Sequence, residues 1–206
     1  AGNMAGSLIN GLLESGTSPS DIAAADPMPT QLEKLAALGV VTAANNDQAI
    51  EQADVIVLAV KPQVTGQVLE ALSGLRPQQL IISIVAGIDL RSLEIWLPEN
   101  QPIVRCMPNT PALLGAGMTG LFANSKVNEQ QKIAATHILG AVGEVAWVTE
   151  EAHLDAVTAV SGSGPAYFFL LMENMIAAGQ KLGLDAELSR KLTEQTALGA
   201  ALMAQK

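Results

Sequence analysis

Three short runs of branched apolar residues govern what this chain can fold into: ADVIVLAVKP at 53–62, LIISIVAG at 80–87 and PIVRCMP at 102–108. The first holds six continuous apolar residues before Lys-Pro ends it. Unbroken Val/Ile runs of this length belong to parallel strands covered on both faces. Helical windows lie between them. Upstream, NMAGSLINGLLESG spaces Met4, Leu8, Ile9, Leu12 and Leu13 at helical intervals and stops at Gly16; MPTQLEKLAALGV reads as a helix closed by Gly39. Between these two helices, DIAAAD at 21–26 is a short strand candidate. Strands alternating with helices imply right-handed crossovers and a doubly wound, mostly parallel α/β sheet of Rossmann-like type. Aromatics are only 3% of a chain that is 49% apolar, much of it Ala, which suits closely packed small residues.

After Pro111 the pattern changes. GAGMTGLFAN and GEVAWVT (143–149) read as strands flanking a helix around 128–140. From Glu150 onward only helix is expected, over 151–160, 165–182 and 186–204. The domain boundary is therefore placed near 150–162, giving a nucleotide-binding domain at 1–150 and a helical domain at 151–206. The middle helix is apolar almost all round, with Phe168, Phe169, Leu170, Leu171, Met172, Met175 and Ile176. Such a helix must be buried, either in a core or against another subunit. The small residues of TEQTALGAALM (193–203) leave the same two alternatives open.

The net charge of −9 argues against a nucleic-acid partner, whose phosphates need Lys and Arg. The longest apolar run, AYFFLLM at 166–172, is far short of the roughly 18 residues of a membrane span. The single cysteine, Cys106, excludes an internal disulfide framework and fits a reducing, cytoplasmic setting. With no neighbouring His it reads as a small core residue. His137 and His153 have no metal-ligand spacing and read as structural, so no metal site is expected.

The chain opens on AGNMA, the second half of a G-x-G-x-x-A turn, with Gly2 as second glycine and Ala5 in the third position. In that turn the glycines admit the backbone close to a pyrophosphate, which rests on the helix N-terminus. The alternative is a helix that merely starts at Gly-Asn. Asp26 lies 24 residues after Gly2, the spacing of a ribose-binding acid that favours NAD, or else it opens a turn with Pro27. Asn46 or nearby hydroxyls remain candidates for a 2′-phosphate. Ligands of open α/β sheets bind beyond the C-terminal strand ends. There AVKPQ supplies backbone amides and Lys61, VAG supplies Gly87, and CMPNTP presents Asn109 and Thr110 on a corner stiffened by two prolines. SGSGPAY (161–167) opens the apolar helix, with Ser163 or Gly164 as cap and Pro165 in the first turn; exposed groups there suit a carboxylate.

AGNMAGS, ADVIVLAVKPQV, SIVAGI, RCMPNTPALLGAGMTGL, SGSGPAY and TALGAALM, in this order, resemble the pyrroline-5-carboxylate reductase family over essentially the whole chain. The resemblance implies reduction of 1-pyrroline-5-carboxylate to L-proline by hydride transfer from NADPH or NADH, the last step of proline biosynthesis. It implies a Rossmann-like domain followed by an all-helical dimerisation domain, in a homodimer or rings of dimers. Cofactor contacts would fall on Gly2, Asn3 and Met4, on Asn46, on Ala59, Val60, Lys61 and Pro62, on Ala86 and Gly87, and on Met107, Pro108 and Asn109. Substrate contacts would fall on Asn109, Ser161 and Ser163. The family continues past Lys206 into a Ser-Pro-Gly-Gly-Thr-Thr-like loop that binds substrate, and a first strand precedes its glycine turn. The chain is thus expected to be a piece of a longer protein, poorly active as it stands. Two other readings stay open: a related β-hydroxyacid dehydrogenase or imine reductase, and a non-catalytic dinucleotide-binding module.

Overall fold

The computed structural model describes residues 2–206. The chain forms two compact units, one ending at Gly162 and one spanning Ser163–Lys206. This division falls at the end of the 150–162 window.

In the first unit, α1 (Asn3–Glu14) starts directly after Gly2 and ends before Gly16, whose φ of +97° terminates the helix. β1 (Ala23–Ala24), α2 (Pro29–Ala36) and β2 (Val41–Thr42) follow, and β1 pairs with β2 in parallel as a two-stranded sheet. β2 and the short α3 (Asn46–Ile50) were not anticipated from the sequence. Asn45 caps α3 by accepting the Gln48 N–H at 2.9 Å.

The main sheet has five strands in the order β3-β4-β5-β6-β7: β3 (Val55–Leu58), β4 (Leu80–Ser83), β5 (Ile103–Met107), β6 (Gly117–Ala123) and β7 (Gly143–Trp147). β3, β4 and β5 are parallel, β5 and β6 antiparallel, and β6 and β7 parallel again. The helices between them are α4 (Thr65–Glu70), α5 (Leu90–Trp96) and α6 (Glu129–Gly140).

The apolar runs are buried on both faces, as their lack of alternation required. Leu80 and Ile82 of β4 join Leu8 of α1 and Ala135 and Leu139 of α6 in one cluster. Ile81 turns the other way, to Leu69 of α4 and Leu90 and Leu93 of α5. Period-2 alternation thus feeds two cores from one strand. Each fully buried Leu or Ile among these contributes roughly 1.5–3 kcal/mol. On β5, Val104 and Cys106 face the first cluster and Ile103 the second.

The first unit ends in α7 (His153–Val157), packed on β5 and β6, and a π-helical turn, Thr158–Gly162. The second unit is a helical hairpin of α8 (Gly164–Lys181) and α9 (Ala186–Ala204). Gly179 permits its close approach: a Cβ there would meet Ser189 Oγ at 2.8 Å. The apolar α8 is not buried within the chain. Phe168 and Phe169 are 65% and 57% exposed, so the described residues supply no internal core for this helix. Among the described residues no helix is long and apolar enough to cross a membrane.

Candidate functional site

The registers Leu58↔Ser83 and Ser83↔Arg105 bring the C-terminal ends of β3, β4 and β5 to one edge of the sheet. There a cleft of about 250 Å³ is lined by Met4, Ala59, Val60, Ile84, Ala86, Met107 and Pro108. Six of these seven were expected as cofactor contacts. Gly2 and Asn3 precede Met4, Lys61 and Pro62 continue from Val60 as exposed residues, and Gly87 follows Ala86 with φ of +75°. Ile84 went unread. It follows the β4 run and precedes the VAG corner, so the alternation set by Ile82 was its only sequence signal. A larger open depression of about 540 Å³ on α6 and β7, floored by Ile133 and Trp147, shares no residue with the expected site.

α1 opens this cleft with a bare N-terminus. Gly2 is its N-cap with φ −68° and ψ 179°, no side chain caps the helix, and its first turn carries no acidic residue. A Cβ on Gly2 would meet nothing within 4 Å. Uncapped first-turn N–H groups and the positive end of the helix dipole attract an anion. Together with the apolar cleft beyond, this donor set fits a dinucleotide: diphosphate on the helix, reactive ring against Met107 and Pro108.

Other expected residues stand elsewhere. Asn46 is exposed in the first turn of α3, outside the cleft lining. The Asp26 carboxylate accepts the Met28 N–H at 2.8 Å through Oδ1, as a turn at Pro27 requires. Asn109 departs from expectation. Its residue is only 9% exposed, its Oδ1 accepts the Met118 N–H at 2.9 Å, and its Nδ2 donates to the Ser161 carbonyl at 3.0 Å. Each end of its amide is thus bonded to backbone. Ser161 donates its hydroxyl to the Val157 carbonyl at 3.0 Å, so that proton too is engaged. Ser163 occupies the N-cap position of α8 in helical conformation and makes no capping bond, contrary to the capping expected of it.

A further polar cluster, not read from the sequence, lies beside the corner. Arg105 of β5 donates to the Glu151 carboxylate, which also accepts the Leu90 N–H at 2.6 Å. Asp89, which caps α5, is held below the usual carboxylate range by hydrogen bonds from Ser92, with Arg105 assisting. Cys106, between Arg105 and Met107, is buried, and desolvation pushes its thiol far up against the opposing pull of Arg105. It is no nucleophile.

A glycine-opened helix set against the C-terminal ends of parallel strands defines a Rossmann-like dinucleotide-binding protein. Comparisons with known proteins narrow the class. A family model described as pyrroline-5-carboxylate reductase dimerisation matches residues 151–206, and one described as NADP oxidoreductase, coenzyme F420-dependent, matches residues 1–87. The pyrroline-5-carboxylate reductase of Pseudomonas aeruginosa is 55% identical over 208 residues, covering 99% of this chain and 76% of that protein. The solved structure of a Coxiella burnetii pyrroline-5-carboxylate reductase superposes with a TM-score of 0.94 at 44% identity, over 99% of this chain and 77% of that one. The Plasmodium falciparum pyrroline carboxylate reductase, solved with NADP bound, gives 0.88 at 32% identity, over 100% and 76%. The chain belongs to the pyrroline-5-carboxylate reductase family.

Proposed function

We propose that the protein reduces 1-pyrroline-5-carboxylate to L-proline with NADPH or NADH. The observation that carries this reading is the cleft itself: an uncapped helix start and three strand ends converge on one apolar slot, in a chain of this reductase family. When bound, the reduced nicotinamide supplies the hydride for the substrate's imine carbon. The chain's own residues have a simpler task, to hold, orient and exclude water. Backbone N–H groups at Gly2, Asn3 and Met4 take the diphosphate. Ala59, Val60, Lys61 and Pro62 with Ala86 and Gly87 border the middle of the cofactor, and Asn46 is assigned to the adenosine ribose. Met107 and Pro108 form the wall of the ring site and keep it dry. Of the two serines expected at a carboxylate anchor, the role is assigned to Ser163, whose side chain makes no capping bond, because the Ser161 hydroxyl is engaged by Val157.

Residues 1–150 are assigned to the cofactor, and 151–206 to dimerisation and substrate. What supports the second assignment is the family model matched over the same residues and the exposed apolar face of α8. The proposed assembly is a homodimer, with rings of dimers as a further form. The test is loss of NADPH absorbance on adding 1-pyrroline-5-carboxylate, with L-proline as product. In the full-length protein, turnover of a β-hydroxyacid in its place, or cofactor binding without turnover, would contradict the reading.

A further inference from the structure

We infer that Asn109 is a positioning residue: it locks the Met107–Pro108 corner of the cleft to the π-helical turn Thr158–Gly162, and touches neither substrate nor cofactor. The inference rests on the function proposed above.

Ser161 is the starting point. In a helix its carbonyl would accept the N–H four residues on, but that residue is Pro165, which has none. The next N–H, of Ala166, donates to the Ser163 carbonyl at 3.0 Å. The Ser161 carbonyl therefore needs a donor from outside the helix, and the Asn109 amide supplies it at 3.0 Å. The other end of the same amide accepts the Met118 N–H of β6 at 2.9 Å. One planar group thus ties the corner to the sheet and to the turn.

The turn in turn abuts the cleft wall. A Cβ on Gly162 would meet the Met107 Cε at 2.8 Å, so Gly162 and the Met107 side chain lie in direct contact. Val157, one turn earlier, is seated against Gly120 of β6, where a Cβ would meet it at 2.7 Å. Pro108 and Pro111 restrict the corner's backbone on both sides of Asn109. Between the two prolines, the Asn109 side chain fastens the corner to β6 and to the turn. Misplacing the wall of the ring site by about 1 Å costs on the order of 100-fold in rate.

The test is steady-state kinetics of wild type, N109A and N109D, each made as the full-length protein, varying NADPH and 1-pyrroline-5-carboxylate separately. N109A removes both bonds; N109D keeps the acceptor for Met118 and loses the donor to Ser161. A positioning role predicts that kcat falls about 10- to 100-fold in both, with KM for each ligand within about threefold of wild type. A direct substrate contact predicts a KM for pyrroline carboxylate raised more than tenfold, most in N109D, where the new carboxylate faces the substrate's own. That result, or unchanged kinetics in both variants, overturns the inference. Should the variants not fold, a crystal structure of wild type with both ligands decides. Asn109 bonded to Ser161 and Met118 supports positioning, and an Asn109 amide within hydrogen-bond reach of either ligand overturns it. Absence of turnover in wild type would instead overturn the function proposed above.

Discussion

Replacing Gly2 by Asp should separate the stability of the fold from its affinity for cofactor. The site is open: a Cβ there meets nothing, and φ of −68° is ordinary for any residue. Asp is a better N-cap than Gly by a few tenths of a kcal/mol, so G2D should unfold no earlier than wild type. The same carboxylate would take the N–H groups assigned to the diphosphate and oppose its charge. Two unit charges about 5 Å apart at an effective dielectric of about 20 repel by about 3 kcal/mol. At about 1.4 kcal/mol per decade, this weakens NADPH binding about 100-fold. The repulsion is screened, so the loss should shrink as salt rises from about 0.01 M towards about 1 M, where the Debye length drops to about 3 Å. G2A is the steric control and should lose far less. Titration of NADPH fluorescence at the two salt concentrations, beside thermal unfolding, measures all of this. G2D binding within threefold of wild type at low salt would refute the reasoning, as would a salt-independent loss equal to that of G2A.

Two further outcomes are expected. Asp89 has its carboxyl depressed by the Ser92 hydrogen bonds, with Arg105 assisting, so its contribution to stability is present above about pH 4 and lost as pH falls through its folded value. D89N keeps the cap but cannot titrate. It should therefore melt below wild type near neutrality, with the gap closing as pH drops from about 5 towards about 3; a constant gap in calorimetry would exclude the charge as its cause. Separately, F168D, at a position 65% exposed on α8, should reduce the particle mass seen by light scattering while keeping helical circular dichroism. An unchanged mass would place the interface elsewhere.

The parts of this fold that could be read ahead are those where local sequence and tertiary burial agree. The Val/Ile runs of β3 and β4 are covered on both faces, and that coverage shows in their composition. α1 announces itself through helical spacing, and α1 and α2 through Gly16 and Gly39 as stops. β2 has two residues and α3 has five, too few for any period to emerge. The reversal of β6 against β5 is a matter of topology with no local mark. In the site, the strand-end corners were visible because Pro and Gly sit there for backbone reasons. The fate of side chains was not. Nothing in CMPNTP says that the Asn109 amide will be spent on a carbonyl 52 residues away, or that Arg105 will meet Glu151 at a separation of 46. Those pairings arise only when α7 and the turn after it fold back on the sheet. The apolar circumference of α8 called for burial, and among the described residues Phe168 and Phe169 nonetheless stay exposed.

The cleft as cofactor site is tested most directly by methionine methyl NMR. Met4 and Met107 line it, whereas Met28 lies beyond β1 and Met203 near the end of α9. In protein labelled at the methionine methyls and titrated with NADPH, Met4 and Met107 should shift together and saturate at one affinity, leaving Met28 and Met203 in place. Saturable NADPH binding that leaves Met4 and Met107 unmoved would contradict the account.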